Sequence, residues 1–299
     1  MNKREKAEIA RDLPEHMEIF AGILRNNMRF EQAGPQGLEY DFACEEYEVL
    51  RREYRIGEIA GRGTDLQRAR RLMHHFAPGL THKGDYDNHV ACNALDLLAY
   101  SFGKPENGIN CLNKAKILQE CCMALGIYAR RMHIRPYSPY DMDSHVVTEI
   151  FDRKLWKWVM IDCTYDAIFV DAKGTPLSCM EMRRALAARE VCSALVARQP
   201  KGDVERLAAR NAELNAYFAK NLFIIGCDRR STFGERGGQL YAVPQGFDMR
   251  EQAIAGAEYR MALQEDGGQK ELWQEWLRQL EKIEYTAISV AELEAPPVG

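Results

Sequence analysis

The hydrophobic period of the chain changes at Gly126, and this change limits the folds that the chain can adopt. Residues 103–110 carry Gly, Pro and Asn, as loops do, and apolar residues then recur at steps of three or four from Leu112 to Leu125. This pattern predicts a helix that begins at Cys111. Beyond Gly126 the period becomes two, and residues 128–135 are predicted to form a strand. The sequence therefore predicts a helix followed directly by a sheet.

Further elements follow from the same kind of pattern. Residues 145–151 and 156–162 have the composition and period of strands, which makes the predicted sheet antiparallel. Capping boxes at Thr64 and Ser178 predict two more helices, the second extending to about Arg198. The remaining periodic segments are a helix from near Asn88, helices over 203–220 and 270–285, helix-forming stretches over 5–32 and 40–56, and strands over 221–227 and 239–243.

The composition is that of an ordinary globular protein, and it excludes one class of function. The 299 residues, of which 46% are hydrophobic, suffice for one large domain or two smaller ones. The 40 Lys and Arg residues against 44 Asp and Glu residues give a net charge of -4. A chain with this charge has no long-range positive field to attract nucleic acid or anionic lipid. We therefore expect no nucleic-acid partner.

Nothing in the sequence predicts export or insertion into a membrane. The strongest apolar run, residues 222–227, has only the length of a strand, whereas a bilayer span needs roughly 18 residues. The first residues, MNKREKAEIARD, lack the apolar segment of a signal peptide. The nine cysteines are an odd number, and most lie in apolar segments, which favours free thiols in a reducing compartment. We expect a cytoplasmic protein without a membrane partner.

Cys111 differs from the other cysteines because it lies where a loop meets the start of a helix. The first backbone N–H groups of a helix have no partner within the helix. Together with the positive end of the helix dipole, they favour the thiolate form of a cysteine. The same groups can stabilise an oxyanion on a substrate, with Asn107 and Asn110 as candidates for a second donor. The position alone also fits a structural thiol.

A hairpin beyond the helix offers a base for this nucleophile. If residues 152–155 form a four-residue connection, His145 lies directly opposite Asp162. Directly opposed side chains share a face with Cβ atoms roughly 5 Å apart, so a carboxylate can accept the imidazole N–H and hold one tautomer. A two-residue turn would instead place Met160 opposite His145. The predicted site therefore depends on where the turn lies.

Four separated motifs in this region resemble the core of the transglutaminase-like superfamily. They are Gly108-Ile-Asn-Cys111, Ala124-Leu-Gly-Ile-Tyr-Ala-Arg130, His145-Val-Val-Thr-Glu149 and Trp158-Val-Met-Ile-Asp162. The resemblance implies a papain-like architecture with a catalytic triad, carried here by Cys111, His145 and Asp162. Two features depart from the superfamily's pattern: two residues separate Gly108 from Cys111 where one is usual, and Cys163 follows Asp162 where Pro is common.

We therefore expect an α+β protein in three parts. Residues 1–84 are predicted to be a helical N-terminal region packed on the core. Residues 85–172 are the part that resembles the superfamily, and they are expected to form a transglutaminase-like catalytic core in which the helix bearing the nucleophile packs on an antiparallel sheet. Residues 173–299 are predicted to be a C-terminal extension of mixed helix and strand.

A triad of this kind supports acyl transfer. The Cys111 thiolate attacks an amide carbonyl, His145 protonates the leaving amine, and a thioester acyl-enzyme forms. Water then makes the protein a peptidase or amidase, whereas a second amine makes it a transglutaminase. We favour hydrolysis of a peptide, protein or small amide, because water is always present and no second site for an amine is recognisable. A non-catalytic binding module on the same scaffold is a further alternative, which the presence of all three residues disfavours.

Other chemistries have weaker signals. Residue types that bind metals occur at His74, His75, His82, His89, Cys121 and Cys122. None of them has the spacing of a zinc site, and nucleotide-binding motifs are missing, so we expect no metal and no cofactor. The segment Pro136-Tyr-Ser-Pro-Tyr140 fits either the rim of a substrate site or a plain turn. The sequence does not define the oligomeric state or the substrate.

Overall fold

The fold is described from a computed structural model that covers residues 13–141, 143–196, 204–235, 237–265 and 267–298. The α-helices in these residues are α1 (Met17–Asn26), α2 (Glu46–Glu53), α3 (Ile56–Ala60), α4 (Asp65–Phe76), α5 (Ala94–Gly103), α6 (Cys111–Met123), α7 (Cys179–Ala187), α8 (Val204–Asn221), α9 (Met249–Ala262), α10 (Gly267–Leu280) and α11 (Val290–Glu294). The strands are β1 (Glu39–Tyr40), β2 (Ala129–Arg135), β3 (His145–Asp152), β4 (Lys157–Asp162), β5 (Ala167–Val170), β6 (Ser193–Val196), β7 (Ile224–Asp228), β8 (Arg230–Ser231), β9 (Gln239–Ala242) and β10 (Thr286–Ala287). Short 3-10 helices cover Leu13–His16 and Ala77–Gly79.

Eight strands form one sheet in the order β10-β9-β7-β2-β3-β4-β5-β6. Neighbouring strands are antiparallel except β10 and β9, which run parallel. β1 and β8 form a separate parallel pair. The prediction of an α+β protein is thus confirmed. The sheet combines β2–β5 from the expected core with four strands from the expected C-terminal extension.

Two hydrophobic cores lie on opposite faces of the sheet. Side chains of β3 point alternately to the two faces and contribute to both cores. Val147 belongs to the core formed with α1, α7 and α8, and Ile150 belongs to the core formed with α2–α6. Helix α6 is buried along its whole length from Asn113 onward. The Thr148 hydroxyl donates to the Ala115 carbonyl at 3.0 Å and fastens α6 to β3. This packing fixes the start of α6 relative to the start of β3.

Several element boundaries follow the sequence signals and others do not. Capping boxes begin α4 at Thr64 and α7 at Ser178, as predicted. The helix predicted from near Asn88 begins only at Ala94, because the Asn93 side chain caps it and Asn88 adopts a left-handed φ of 56°. Helix α7 ends at Ala187, and strand β6 occupies part of its predicted length.

Some predicted elements reach into residues outside the described ranges. These are residues 5–12 at the start of the stretch 5–32, the predicted helix end at Arg198 and the predicted helix start at residue 203. The described part of the stretch 5–32 contains α1, and the stretch 40–56 contains α2. The predicted helices over 203–220 and 270–285 correspond to α8 and α10.

The β3–β4 hairpin differs from prediction in the position of its turn. The connection has four residues, but it covers 153–156, so that Asp152 faces Lys157. The Asp152 carboxylate fixes this turn by accepting the N–H groups of Lys154 at 2.9 Å and Leu155 at 2.8 Å. Trp156, predicted to begin the strand, instead closes the turn with a left-handed φ of 55°.

This shift corrects the predicted pairing of the site residues. Thr148 faces Ile161, and continuing this register places Asp162 opposite Val147. The prediction that His145 lies directly opposite Asp162 was therefore wrong, as was the alternative with Met160, which faces Glu149. Moving the turn by one residue moves every partner by two, which leaves each side chain on the same face. His145 and Asp162 are diagonal neighbours on one face of the sheet.

Candidate active site

His145 and Asp162 are in direct contact inside the protein. The imidazole Nε2 of His145 lies 2.8 Å from Oδ2 of Asp162, and the two residues are 2% and 0% exposed. The other carboxylate oxygen of Asp162 accepts the backbone N–H groups of Thr164 at 2.7 Å and Tyr165 at 3.2 Å. A diagonal pair on one sheet face is close enough for side chains of this length to meet. Both carboxylate oxygens are thus held, and one of them orients the imidazole.

Three aromatic rings enclose the imidazole of His145. The ring centroids of Tyr217, Tyr165 and Phe218 lie 5.5, 5.7 and 5.8 Å from it. Burial in these surroundings lowers the pKa of His145, but the Asp162 carboxylate and the Cys111 sulfur outweigh burial and raise the pKa to about 10. His145 is therefore protonated at neutral pH.

The sulfur of Cys111 is a neighbour of this imidazole. Both a hydrogen-bonding and a charge interaction with Cys111 contribute to the raised pKa of His145. Because Asp162 occupies Nε2, the nitrogen left for the sulfur is Nδ1. The structure thus brings together the three residues that the sequence singled out, although by a different register from the one predicted.

Cys111 begins α6, as predicted, and it is partly exposed. The Asn110 side chain caps the helix by accepting the N–H of Asn113 at 3.2 Å. Six other cysteines are fully inside the protein: Cys121, Cys122, Cys163, Cys179, Cys192 and Cys227. Burial raises the pKa of Cys163 and that of Cys227 to about 12. Those thiols are therefore much less available to a substrate.

A second segment of the chain holds the loop before Cys111 in place. Ile109 donates its N–H to the Thr81 carbonyl and accepts the N–H of Lys83, both at 3.0 Å. A Cβ atom on Gly108 would lie 2.8 Å from Cβ of Lys83, which explains why glycine occupies this position of the motif. The loop is thus tied down directly before the nucleophile.

The two asparagines considered as oxyanion donors have other partners. The side-chain N–H of Asn107 donates to the Tyr100 carbonyl at 2.6 Å, and that of Asn110 donates to Asn88 at 3.1 Å. An oxyanion would have to displace these bonds. The backbone N–H groups at the start of α6 are the better candidates.

Lys114 is a charged residue of the site that the sequence analysis missed. It lies one helical turn after Cys111, is only 2% exposed, and interacts electrostatically with Cys163, Asp162 and Cys111. Burial lowers its pKa. Within the described ranges its ammonium group forms no hydrogen bond and no ion pair. The i, i+3 spacing from Cys111 places both side chains on one side of the helix and was the available signal.

His82 is a second residue that the motifs did not identify as part of this site. Partial loss of hydration around the ring, together with the positive charges of Lys114 and His145, lowers the pKa of His82, and the residue as a whole is still exposed. It belongs to the segment that hydrogen-bonds the loop before Cys111. His82 is thus a second imidazole within electrostatic range of His145.

The residues considered for a metal site are dispersed. His74 contacts Asp166, His89 contacts Asp87, and Cys121 and Cys122 are buried in α6. In the ranges that the structure describes, no group of three His, Cys, Asp or Glu side chains is placed to hold a metal ion. In the same ranges, no helix combines the length and the hydropathy that crossing a bilayer requires.

Comparisons with known proteins give limited similarity. A scan against models of protein families found no match, and a search of curated proteins found none either. Among solved structures, the chain is similar to a "Putative Cysteine Protease" from Cytophaga hutchinsonii, with 17% sequence identity and a TM-score of 0.32. The alignment covers 50% of this chain and 47% of that protein, which is about half the length of each. At this TM-score the likeness assigns neither a family nor an activity.

Proposed function

We propose that the protein is a cysteine-dependent amide hydrolase with Cys111 as nucleophile, His145 as acid and base, and Asp162 as the residue that orients His145. The observation that carries this proposal is the buried contact of 2.8 Å between His145 and Asp162, together with the interaction of the same imidazole with Cys111. Nucleophile, base and orienting group in this order are the signature of covalent catalysis. The proposal includes a transglutaminase-like core over residues 85–172.

The geometry supports a two-step reaction. A protonated His145 favours the thiolate of Cys111, which attacks the amide carbon. The resulting oxyanion is close to the N–H groups at the start of α6. His145 then gives its proton to the leaving nitrogen, the carbon–nitrogen bond breaks, and a thioester on Cys111 remains.

The second step removes the acyl group. Neutral His145 accepts a proton from water, the water oxygen attacks the thioester carbon, and the carbon–sulfur bond breaks to release a carboxylic acid. Asp162 keeps the imidazole in the required tautomer throughout, since Nε2 stays bonded to the carboxylate and Nδ1 faces the sulfur. Transfer to an amine in place of water would use the same thioester.

Trapping the thioester tests this proposal. The protein is mixed with peptides, glutamine-containing proteins and small amides, quenched with acid, digested, and the mass of the Cys111 peptide is measured. We expect a mass increase on Cys111 that hydroxylamine removes, and none in the Cys111→Ser variant. If an added alkylamine is incorporated into the acyl product, the protein is a transferase. An unmodified Cys111 with every class of amide would contradict catalysis and favour the non-catalytic module.

A further inference from the structure

A cavity of about 530 Å³ lies beside β2 and β9 of the eight-stranded sheet. Its wall on the sheet includes Arg135 of β2 and Tyr241 of β9. Helices α9 and α10 form another wall, which includes Arg260 and Trp276. The rim is formed by Pro136, Ser138, Pro139, Asp141 and Ser144. This volume is in the range of sites for small organic ligands. The segment from Pro136 to Tyr140, which the sequence left open as a rim or a turn, contributes to a cavity.

Helix α9 is docked closely on this rim. A Cβ atom on Gly256 would lie 2.9 Å from the carbonyl oxygen of Pro139, so the helix can approach the loop only because this residue is glycine. The Gln252 side chain donates to the carbonyls of Pro136 at 2.7 Å and Tyr137 at 2.9 Å. The cavity is therefore built by specific contacts between a helix and a loop.

The cavity contains two guanidinium groups without an acidic partner. Arg135 donates to the Tyr241 hydroxyl at 3.2 Å, and Arg260 lies over the Trp273 ring at 5.6 Å. Neither forms an ion pair within the described ranges, and both side chains are half-buried. Burial lowers the pKa of Arg260. An arginine that is shielded from water and lacks a carboxylate is suited to take one from a ligand.

The acidic residues of the cavity do not neutralise these arginines. Asp141 lines the cavity but forms an ion pair with Lys220 at 2.8 Å. Glu284, the other acidic residue in the lining, is exposed to solvent. The partly buried positive charge is thus available in a cavity whose lining also includes the aromatic rings of Tyr241, Trp276 and Tyr285.

The cavity is connected to the candidate site through two adjacent positions in the chain. Ser144 lines the cavity and directly precedes His145. Arg135 directly follows Ile134, the residue that pairs with His145 across β2 and β3. A ligand group in the cavity would therefore lie near the backbone of His145 at the start of β3, on the face of the sheet that Arg135 shares and the imidazole does not.

We propose that this cavity binds a carboxylate carried by the amide substrate. Arg135 and Arg260 bind the carboxylate, and the aromatic residues of the lining contact the apolar part of the substrate next to it. This inference rests on the proposed function, because only a catalytic protein would bind this ligand as a substrate. It narrows the substrate class to amides that bear a free carboxylate, such as acidic peptides or peptides bound near their C-terminus.

Binding of small probes tests the inference without requiring catalysis. We would measure the affinities of N-acetylphenylalanine, its neutral amide and phenyl phosphate by calorimetry on the full-length Cys111→Ser variant. This variant removes the nucleophile and leaves the cavity residues unchanged. We expect the carboxylate to bind at least about tenfold more tightly than the amide, which corresponds to about 1.4 kcal/mol. Arg135→Met and Arg260→Met, each added to this variant, should remove that preference.

Arg250→Met is the matched control, because Arg250 is exposed on the same helix as Arg260, and it should leave all affinities unchanged. Equal affinities for acid and amide, no effect of either arginine variant, or no binding at about 10 mM would overturn the inference. Tighter binding of phenyl phosphate than of the carboxylate would also overturn it. If the carboxylate binds but Cys111 of the natural sequence forms no thioester, the proposed function fails and the cavity is still a carboxylate site.

Discussion

Single buried charges determine much of the chemistry of this protein. His145 is protonated in the fold because Asp162 and Cys111 outweigh the effect of burial on its pKa. Lys114 is buried within electrostatic range of Asp162 and Cys111, and its ammonium group has no hydrogen-bonding partner in the described ranges. The sequence marked His145 and Asp162 by their positions in strands. It could not predict the protonation, because the pKa depends on the neighbours that folding supplies.

The raised pKa of His145 predicts a dependence of stability on pH. The folded state holds a proton up to about pH 10, whereas the ordinary value is 6.5. The stability that this proton contributes is therefore fully present below about pH 6.5 and is lost as the pH rises toward 10. Between pH 6.5 and 8 the free energy of unfolding should fall by up to about 2 kcal/mol. Urea denaturation across this range measures the effect.

The control for this prediction is the Asp162→Asn variant. Without the carboxylate the imidazole loses its main charge partner, so the free energy of unfolding should change less between pH 6.5 and 8. An equally steep fall in Asp162→Asn would assign the effect to other groups. Working below pH 8 limits the contribution of the buried thiols, which ionise at higher pH in the unfolded chain.

A second buried pair predicts a large loss of stability. Arg130 and Glu149 are 2.6 Å apart and 2% and 1% exposed, and the Arg130 guanidinium lies 3.9 Å from the centroid of the Trp158 ring. Glu149→Gln would leave Arg130 charged and unpaired, which should lower the free energy of unfolding by roughly 3–5 kcal/mol. The exposed pair of Glu48 with Arg51 supplies the control. Glu48→Gln should cost less than about 1 kcal/mol in the same urea titration. Similar losses in both variants would contradict this account.

Among the elements, helix α6 is the one whose N-terminal cap is expected to affect the reactivity of Cys111. The Asn110 side chain caps its first turn, and Cys111 follows directly. Asn110→Ala should cost about 1 kcal/mol of stability and should slow alkylation of Cys111, because the first turn that favours the thiolate is loosened. Asn93→Ala removes the equivalent cap of α5 and is the matched control. It should cost a similar amount of stability and leave the alkylation rate unchanged. Equal alkylation rates of Cys111 in both variants would contradict an effect of the Asn110 cap on the reactivity of Cys111.

The hairpin shows which features of an element are predictable from sequence. Alternation of side chains in β3 and β4 predicts their faces, and the faces are correct because a shift by two conserves them. The position of the turn is not predictable from the local pattern. Asp152 holds the turn while its other oxygen accepts the N–H of Leu66 at 2.8 Å, and Leu66 is distant in the chain. A contact with α4 therefore helps to decide the register of β3 and β4.

The same limit applies to helix boundaries. The capping boxes at Thr64 and Ser178 are local and are predicted correctly. The start of α5 depends on Asn93 and on the left-handed conformation of Asn88, whose side chain meets Asn110 in the loop before Cys111. Local capping hydrogen bonds are thus predictable from the sequence, whereas contacts between segments that are distant in the chain are not.

Over the whole molecule, the eight-stranded sheet joins segments that the sequence separates. Strand β2 lies between β3 and β7, so it forms hydrogen bonds both with the hairpin that carries His145 and Asp162 and with the C-terminal segment. The cavity beside β2 exists only because α9, far along the chain, packs on the segment from Pro136 to Pro139. The composition and the local periods predict an α+β fold. They do not predict this assembly, since it depends on long-range pairing.

The close contact of α9 with the rim gives a test of this assembly. In Gly256→Ala a Cβ atom would be 2.9 Å from the Pro139 carbonyl oxygen, so the helix must shift, at a cost of roughly 1–3 kcal/mol in the free energy of unfolding. Gly22→Ala is the control, because its Cβ would have nothing within 4 Å and alanine favours helix α1 by up to about 1 kcal/mol. Urea titration measures both. Gain of stability in both variants would contradict the docking of α9.

Alkylation of Cys111 tests the central claim most directly. The native protein is treated with iodoacetamide at about pH 5.5, where an unperturbed thiol reacts slowly, and labelling of each cysteine is followed by mass spectrometry. Cys44 is also partly exposed and serves as the internal control. We predict that Cys111 is labelled much faster than Cys44 and that His145→Ala removes the difference. Equal labelling of the two cysteines, or fast labelling that persists in His145→Ala, would contradict a thiolate activated by His145.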